Sequence, residues 1–462
     1  MSTPITSDTR TMSGKPAPGP RGRPLVGSMF DVLHNSLEFI VGVSREYGDV
    51  VKYRMAHWTW YQVNHPDGVQ RILQENHRNY TKGSMTLGIM KPVAGDGLFT
   101  SEGELWLRQR RLMQPVFHRR RIAAFGTIMT DATHAMLDRW QPVIERGQHL
   151  DIMDEMSRLT MEIVSQALFS TQVGGDGNAI SGAITTLLDD IGYRFEVPFY
   201  PPPSVPTPRN RRRQSALRTL DEAMYRVINE RRRQPGMHDD LLGLLIGACD
   251  EDTGEGMSNK QLRDEVTTLF AAGHETTAVT MAWVWYLLDQ HPRALARLRS
   301  ELHAVLAGRT PTVADLPQLP YTRMVIDEAL QLFPPVWITN RQLVANDEIC
   351  GYRIPAGAFA VVSPYVVQRH PAWWDDPDRF DPERFTPEHS ADRPRYAYFP
   401  FGGGPRQCIG QSFALTEAAL ILATIAQHYD LNVLPGHTVV PQTLATLRPG
   451  GGLPMIVTRR AR

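Results

Sequence analysis

Phe401-Gly402-Gly403-Gly404-Pro405-Arg406-Gln407-Cys408-Ile409-Gly410 is the stretch that decides how the rest of this chain is read. Three consecutive glycines reach backbone angles closed to other residues, so the chain can pass close beneath a flat ligand. Cys408 comes just before an apolar run, Gln411 to Tyr429, that predicts a helix. A helix N-terminus presents unpaired N–H groups and a partial positive charge, which lower a thiol's pKa and favour the thiolate. The plain alternative is a glycine-rich turn ahead of a helix with an ordinary buried cysteine.

A thiolate so placed is a strong axial donor to haem iron. On that reading Phe401 packs on the sulfur side and excludes water, and Arg406 reaches a haem propionate. Working outward, the pattern over Asp264 to Gln290 predicts one long helix, about 40 Å at 1.5 Å per residue. It is apolar or small on most faces, which implies burial. Ala272-Gly273-His274-Glu275-Thr276 lies in its middle. Glycine there costs roughly 1 kcal/mol against alanine, and room for a planar cofactor is one reason to accept that cost. Thr276 can bond back to the Ala272 carbonyl and open a notch, and its hydroxyl can then relay protons supplied through Glu275. Taken alone, a tight helix-packing contact would explain these residues as well.

Together these two motifs, in this order, resemble those of the cytochrome P-450 family. That resemblance extends over nearly the whole chain. Trp106 and Arg110, four apart on one helix face, resemble the family's Trp-x-x-x-Arg element, which meets a haem propionate. Arg341 matches the place of a further propionate-binding arginine. The resemblance implies a mainly α fold with a smaller β region, a triangular helical prism, with haem b (iron protoporphyrin IX) on Cys408. It also implies contacts to that haem from Phe401, Arg406, Gly410, Trp106, Arg110, Arg341, Ala272 and Gly273, with Thr276 and Glu275 catalytic. His274 takes the variable place of its motif and is expected to face packing partners. Pocket walls are expected from the loop Ser84 to Val93, the segment Phe270 to Thr276, Val336 to Ile338 and Thr443 to Leu447. Met85, Leu87, Met90, Phe270, Val336 and Ile338 make that pocket apolar, which points to a lipophilic substrate.

The chain departs from the family at one place. A Glu-x-x-Arg element normally pairs with an arginine from a later meander. Here Glu328 is present, Gln331 stands where arginine is expected, and Arg384 supplies the meander cation. One of two cations around a buried carboxylate is missing, so stability and haem retention are the properties at stake.

Bulk properties agree with an enzyme of this kind. The chain has 462 residues, and 49 basic residues balance 49 acidic ones, which argues against a nucleic-acid binder. Three scattered cysteines make no disulfide framework. No apolar run approaches the ~18 residues of a membrane span, and no signal-like segment opens the chain, so a soluble cytoplasmic monomer is expected. Residues 1–27 form a polar, proline-rich leading segment to a single haem domain spanning 1–462, with no fused reductase. Electrons would then come from a ferredoxin with its reductase or a flavodoxin-type donor, with Arg108 and Arg111 as candidate docking cations. The reaction expected is insertion of one oxygen atom from O2. Peroxide-driven or O2-independent haem-thiolate chemistry is the alternative within enzymes, and a non-catalytic haem-binding protein is the alternative outside them.

Overall fold

The computed structural model describes residues 14–170, 174–197, 200–233, 240–250 and 253–460; the side chains at 84–86, 119, 174–178, 181, 195 and 196 lie outside that description. The chain divides into two compact units.

One unit takes 336–379 and 388–408 together with the described part of 1–86. Its centre is a five-stranded sheet in the order Val50–Met55, Trp58–Val63, Phe359–Val362, Thr339–Leu343, Tyr80–Thr81. The first two strands form an antiparallel hairpin, turned at Ala56 in the left-handed region. This resolves Asp49 to Val63, which reads in sequence as a single strand-like stretch. The second strand runs parallel to Phe359–Val362, which pairs antiparallel with Thr339–Leu343. Apolar side chains from one sheet face, among them Val63, Ala360 and Val362, form the core with Ile72, Tyr396 and Phe399.

The other unit holds 87–335, 380–387 and 409–462. Its axis is the helix Asn259–Gln290, which begins five residues before the expected start. The reason is a capping box: Ser258 Oγ accepts from Gln261 N, and Gln261 returns a bond to the Ser258 N–H. Around it pack Ile152–Phe169, Pro208–Arg233, Pro320–Leu332 and Gln411–Ala426. Trp283 stacks on Phe333 with ring centroids 3.9 Å apart, and its indole N–H donates to Leu447 O at 2.8 Å. Burying each such aromatic is worth roughly 1.5–3 kcal/mol, so the long helix is buried along most of its length. Tyr429, read as the end of a helix, instead opens the strand Tyr429–Val433. That strand pairs with Pro454–Arg459. Ser84 to Val93, expected from the resemblance to be a loop, lies in the helix Ser84–Ala94, with Pro92 near its C-terminal end. Among the described residues no helix is long and apolar enough to cross a membrane.

Candidate haem-thiolate site

The cysteine loop is held by its backbone. Cys408 N–H donates to Phe401 O at 3.0 Å, closing the loop on itself. A side chain at Gly403 would place its Cβ 2.3 Å from the Tyr396 ring. At Gly404, where φ is +64°, it would lie 1.9 Å from Leu73 O. Only glycine fits there, because both the space and the backbone angle exclude other residues. Within this frame the Cys408 side chain is exposed, while Phe401 and Arg406 are half-buried. Gly410 forms the N-cap of Gln411–Ala426 and, being glycine, contributes no side-chain cap of its own.

The middle of the long helix is the second feature. Phe270 is fully buried, yet Ala272 two residues on is exposed, and Ala271, Gly273, Glu275 and Thr276 are half-buried. Thr276 Oγ1 donates to Ala272 O at 2.8 Å, and Glu275 Oε1 accepts from Thr446 Oγ1 at 2.6 Å. His274 turns away into the packing: its Nε2 bonds Ser157 Oγ at 2.9 Å, and Thr160 Oγ1 donates to its carbonyl at 2.9 Å. Burial holds its imidazole below the ordinary pKa, so it stays neutral.

Two expectations change here. Gly273, expected to make room for a planar cofactor, points its missing side chain at a neighbouring helix instead, since a Cβ there would meet Val164 Cγ2 at 3.3 Å. Its missing side chain serves packing against Ile152–Phe169, and the open position is Ala272. Phe270, expected as a pocket wall, is 0% exposed and presents no surface to an open space.

The remaining residues are dispersed as follows. Trp106 and Arg110 lie one turn apart on the helix Gly103–Met113, both half-buried. Buried Gln109 anchors that helix by donating to Asp96 O at 2.7 Å and accepting from Ser101 Oγ. Arg341 sits in the strand Thr339–Leu343, with Nη1 donating to Thr339 Oγ1 and to Asn340 O. Leu87 and Met90 are half-buried and Val336 is exposed. Ile338 packs against Tyr53, Trp60, Phe359 and Val361. Met85 lies outside the described side chains. The candidate docking cations are engaged within the chain: Arg108 donates to the carbonyls of Glu255 and Gly256, and Arg111 pairs with Asp250 at 3.3 Å.

The glutamate network is built with a single close cation. Glu328 and Gln331 are fully buried, and Arg384 Nε lies 3.4 Å from Glu328 Oε1. Asp381 N–H donates to the same oxygen at 2.7 Å. Burial outweighs both contacts and pushes the Glu328 carboxyl up to about 7.

These features fit a haem. Among the described residues no three His, Cys, Asp or Glu side chains gather to hold a bare metal ion. A single cysteine sulfur suits a metal that brings its other ligands with it, as a porphyrin does. Ala272 is a small exposed residue in the middle of a mostly buried helix.

Comparison with known proteins gives the class. The family description "Cytochrome P450" matches residues 17–453, and the chain belongs to that family. It is 38% identical to cyclooctat-9-en-7-ol 5-monooxygenase of Streptomyces melanosporofaciens, covering 96% of this chain and 95% of that protein. It is 35% identical to pentalenene oxygenase of Streptomyces avermitilis, covering 93% and 94%. Among solved structures, the cytochrome P450DA heme domain superposes with a TM-score of 0.87 at 28% identity, covering 97% of this chain and 98% of that one. The mainly α fold with small sheets is therefore the P450 fold. The chain is a monooxygenase with a haem-thiolate cofactor, in a family that uses redox partners and lipophilic substrates.

Proposed function

We propose that this chain oxygenates a terpenoid, using haem b held by the Cys408 thiolate and electrons from a separate ferredoxin with its reductase or a flavodoxin-type donor. Held by Cys408, haem b would supply the chemistry of reductive O2 activation, which a thiolate donor favours. Cys408 carries the reading: it is an exposed thiol on a glycine loop with no room for side chains, just before the start of a helix. A helix start is a place where the thiolate form of a cysteine is generally favoured. Trp106, Arg110, Arg341 and Arg406 would hold the propionates, and Phe401 and Gly410 would border the sulfur.

Thr276 and Glu275 move protons beside Ala272. The Thr276 hydroxyl turns from the Ala272 carbonyl to hand its proton to the open side. It is resupplied through Glu275, which Thr446 Oγ1 steadies and which takes up a proton from solvent before passing it to the hydroxyl. Leu87 and Met90 give the substrate an apolar surface. The two relatives above act, by their names, on cyclooctat-9-en-7-ol and pentalenene, both terpenoids. That is the support for the substrate class. The chain works as one haem domain over residues 1–462, as a monomer in the cytoplasm.

The test is turnover of a terpene panel with ferredoxin and reductase under isotope-labelled O2. One labelled oxygen atom per product is expected. Thr276→Ala should lower product per reductant about a hundredfold. Equal yields from Thr276→Ala, or product formed without the electron donors, would contradict the proposal.

A further inference from the structure

The long helix carries a second charged centre, nine residues before Ala272 and so about 13 Å away along the axis. Arg263 is only 7% exposed. Its Nε and Nη2 each lie 2.7 Å from Asp221 Oδ1 on the helix Pro208–Arg233. Its Nη1 donates to Val93 O, in the last turn of Ser84–Ala94, at 2.8 Å, and to Asp264 Oδ1 at 3.1 Å. Asp264 also accepts the Asp96 N–H at 2.9 Å and Lys260 Nζ at 2.7 Å. Lys91 and Lys260 both reach Asp96.

Three cations thus face three carboxylates, so the cluster balances internally and has no call for an outside ion. What distinguishes it is connectivity. One guanidinium joins the long helix to two other helices at once. The planar fork with five donors makes this possible, and an ammonium cannot span the same partners. The chain also presses on the cluster, since a Cβ at Gly95 would lie 2.1 Å from Asp264 Oδ1. Ser84–Ala94 carries Leu87 and Met90, the apolar residues assigned above to the substrate.

We propose that Arg263 is a positioning residue, a clasp that holds Ser84–Ala94 and Pro208–Arg233 against the long helix and thereby sets how long a bulky substrate is retained. This rests on the reading of the space beside Ala272 as the substrate pocket. Arg263 touches no reacting atom; it acts through the two helices, by gating release.

The test uses the holoenzyme with two iron-binding probes, bulky clotrimazole and small imidazole, and two variants, Arg263→Lys and Asp221→Asn. Asp221 is 45% exposed on its side chain, so its replacement spares the core if Arg263→Lys fails to fold. The variants should release clotrimazole about tenfold faster, within the usual range of coupling between elements, and release imidazole at the unaltered rate. Amide exchange over residues 87–97 should rise while the rest of the long helix stays protected. Unchanged clotrimazole release with unchanged exchange overturns the clasp, as does an equal change for both probes. If imidazole gives no spectral shift even in the unaltered protein, the haem reading fails, and the exchange result alone still decides the clasp.

Discussion

The cysteine loop and the glutamate network are both constrained parts of this fold, but they are constrained by different means. The loop is fixed by neighbours in sequence and by backbone. Cys408 N–H bonds Phe401 O, and Gly404 lies so close to Leu73 O that no side chain fits. The network is fixed by charge balance between remote residues. Glu328 depends on Arg384 and on the Asp381 N–H, both more than fifty positions away. Steric constraint is independent of solution conditions, whereas charge balance changes with pH. The two regions should therefore respond differently to substitution and to titration.

Gly404→Ala should have the larger effect. It combines a clash with Leu73 O and a left-handed backbone, so a loss of at least about 2 kcal/mol is expected at any pH. Thermal unfolding would measure it, and a change under a few tenths would mean that the loop yields readily.

Gln331→Arg should come next, with a pH signature. The folded-state pKa of Glu328 lies near 7, above its ordinary value of 4.5. Below pH 4.5 the carboxyl is protonated in both states and costs nothing. As pH rises from there through 7, the unfolded chain ionises first, and stability falls by on the order of 3 kcal/mol. A second cation should lower that pKa and restore part of the loss. The gain in melting temperature should therefore be larger at pH 8 than at pH 5. Equal gains at both would show that the added arginine acts by packing alone.

Gly402→Ala should have the smallest effect. Its φ is +68°, but nothing lies within 4 Å of a Cβ there, so only the backbone cost of about 1 kcal/mol remains. The gap between Gly404→Ala and Gly402→Ala isolates the steric contribution within one loop.

The same division explains what the sequence could reveal. The cysteine loop, most of the helix after it and the Thr276-to-Ala272 bond are local, set by residues within a few positions of one another, so the sequence showed them and the resemblance gave them their meaning. Ser258 and Gln261 also form a local signal, a capping box, from which the true start of the long helix could have been read. Ser84–Ala94 was expected as a loop from the resemblance, and Pro92, which cannot donate to the Gly88 carbonyl, gives no local helix signal to oppose it. Contacts across long separations left no trace in spacing. Thr446 on Glu275 is 171 residues away. Val164 beside Gly273 shows that a glycine next to a candidate site can serve helix packing instead. Arg108 and Arg111 look like free surface cations in sequence, yet their partners at 250–256 are more than a hundred positions distant. Glu328 was legible as a motif with a missing cation, but its raised pKa follows from burial, which sequence does not display.

The central claim is the bond from Cys408 sulfur to haem iron, and the spectrum of the reduced, carbon-monoxide-treated protein tests it most directly. The unaltered chain should show the strongly red-shifted Soret band of a thiolate-ligated haem, and Cys408→Ala, reconstituted with haem, should lose it. A red-shifted band that survives in Cys408→Ala, or one never seen in haem-loaded unaltered protein, would contradict the account.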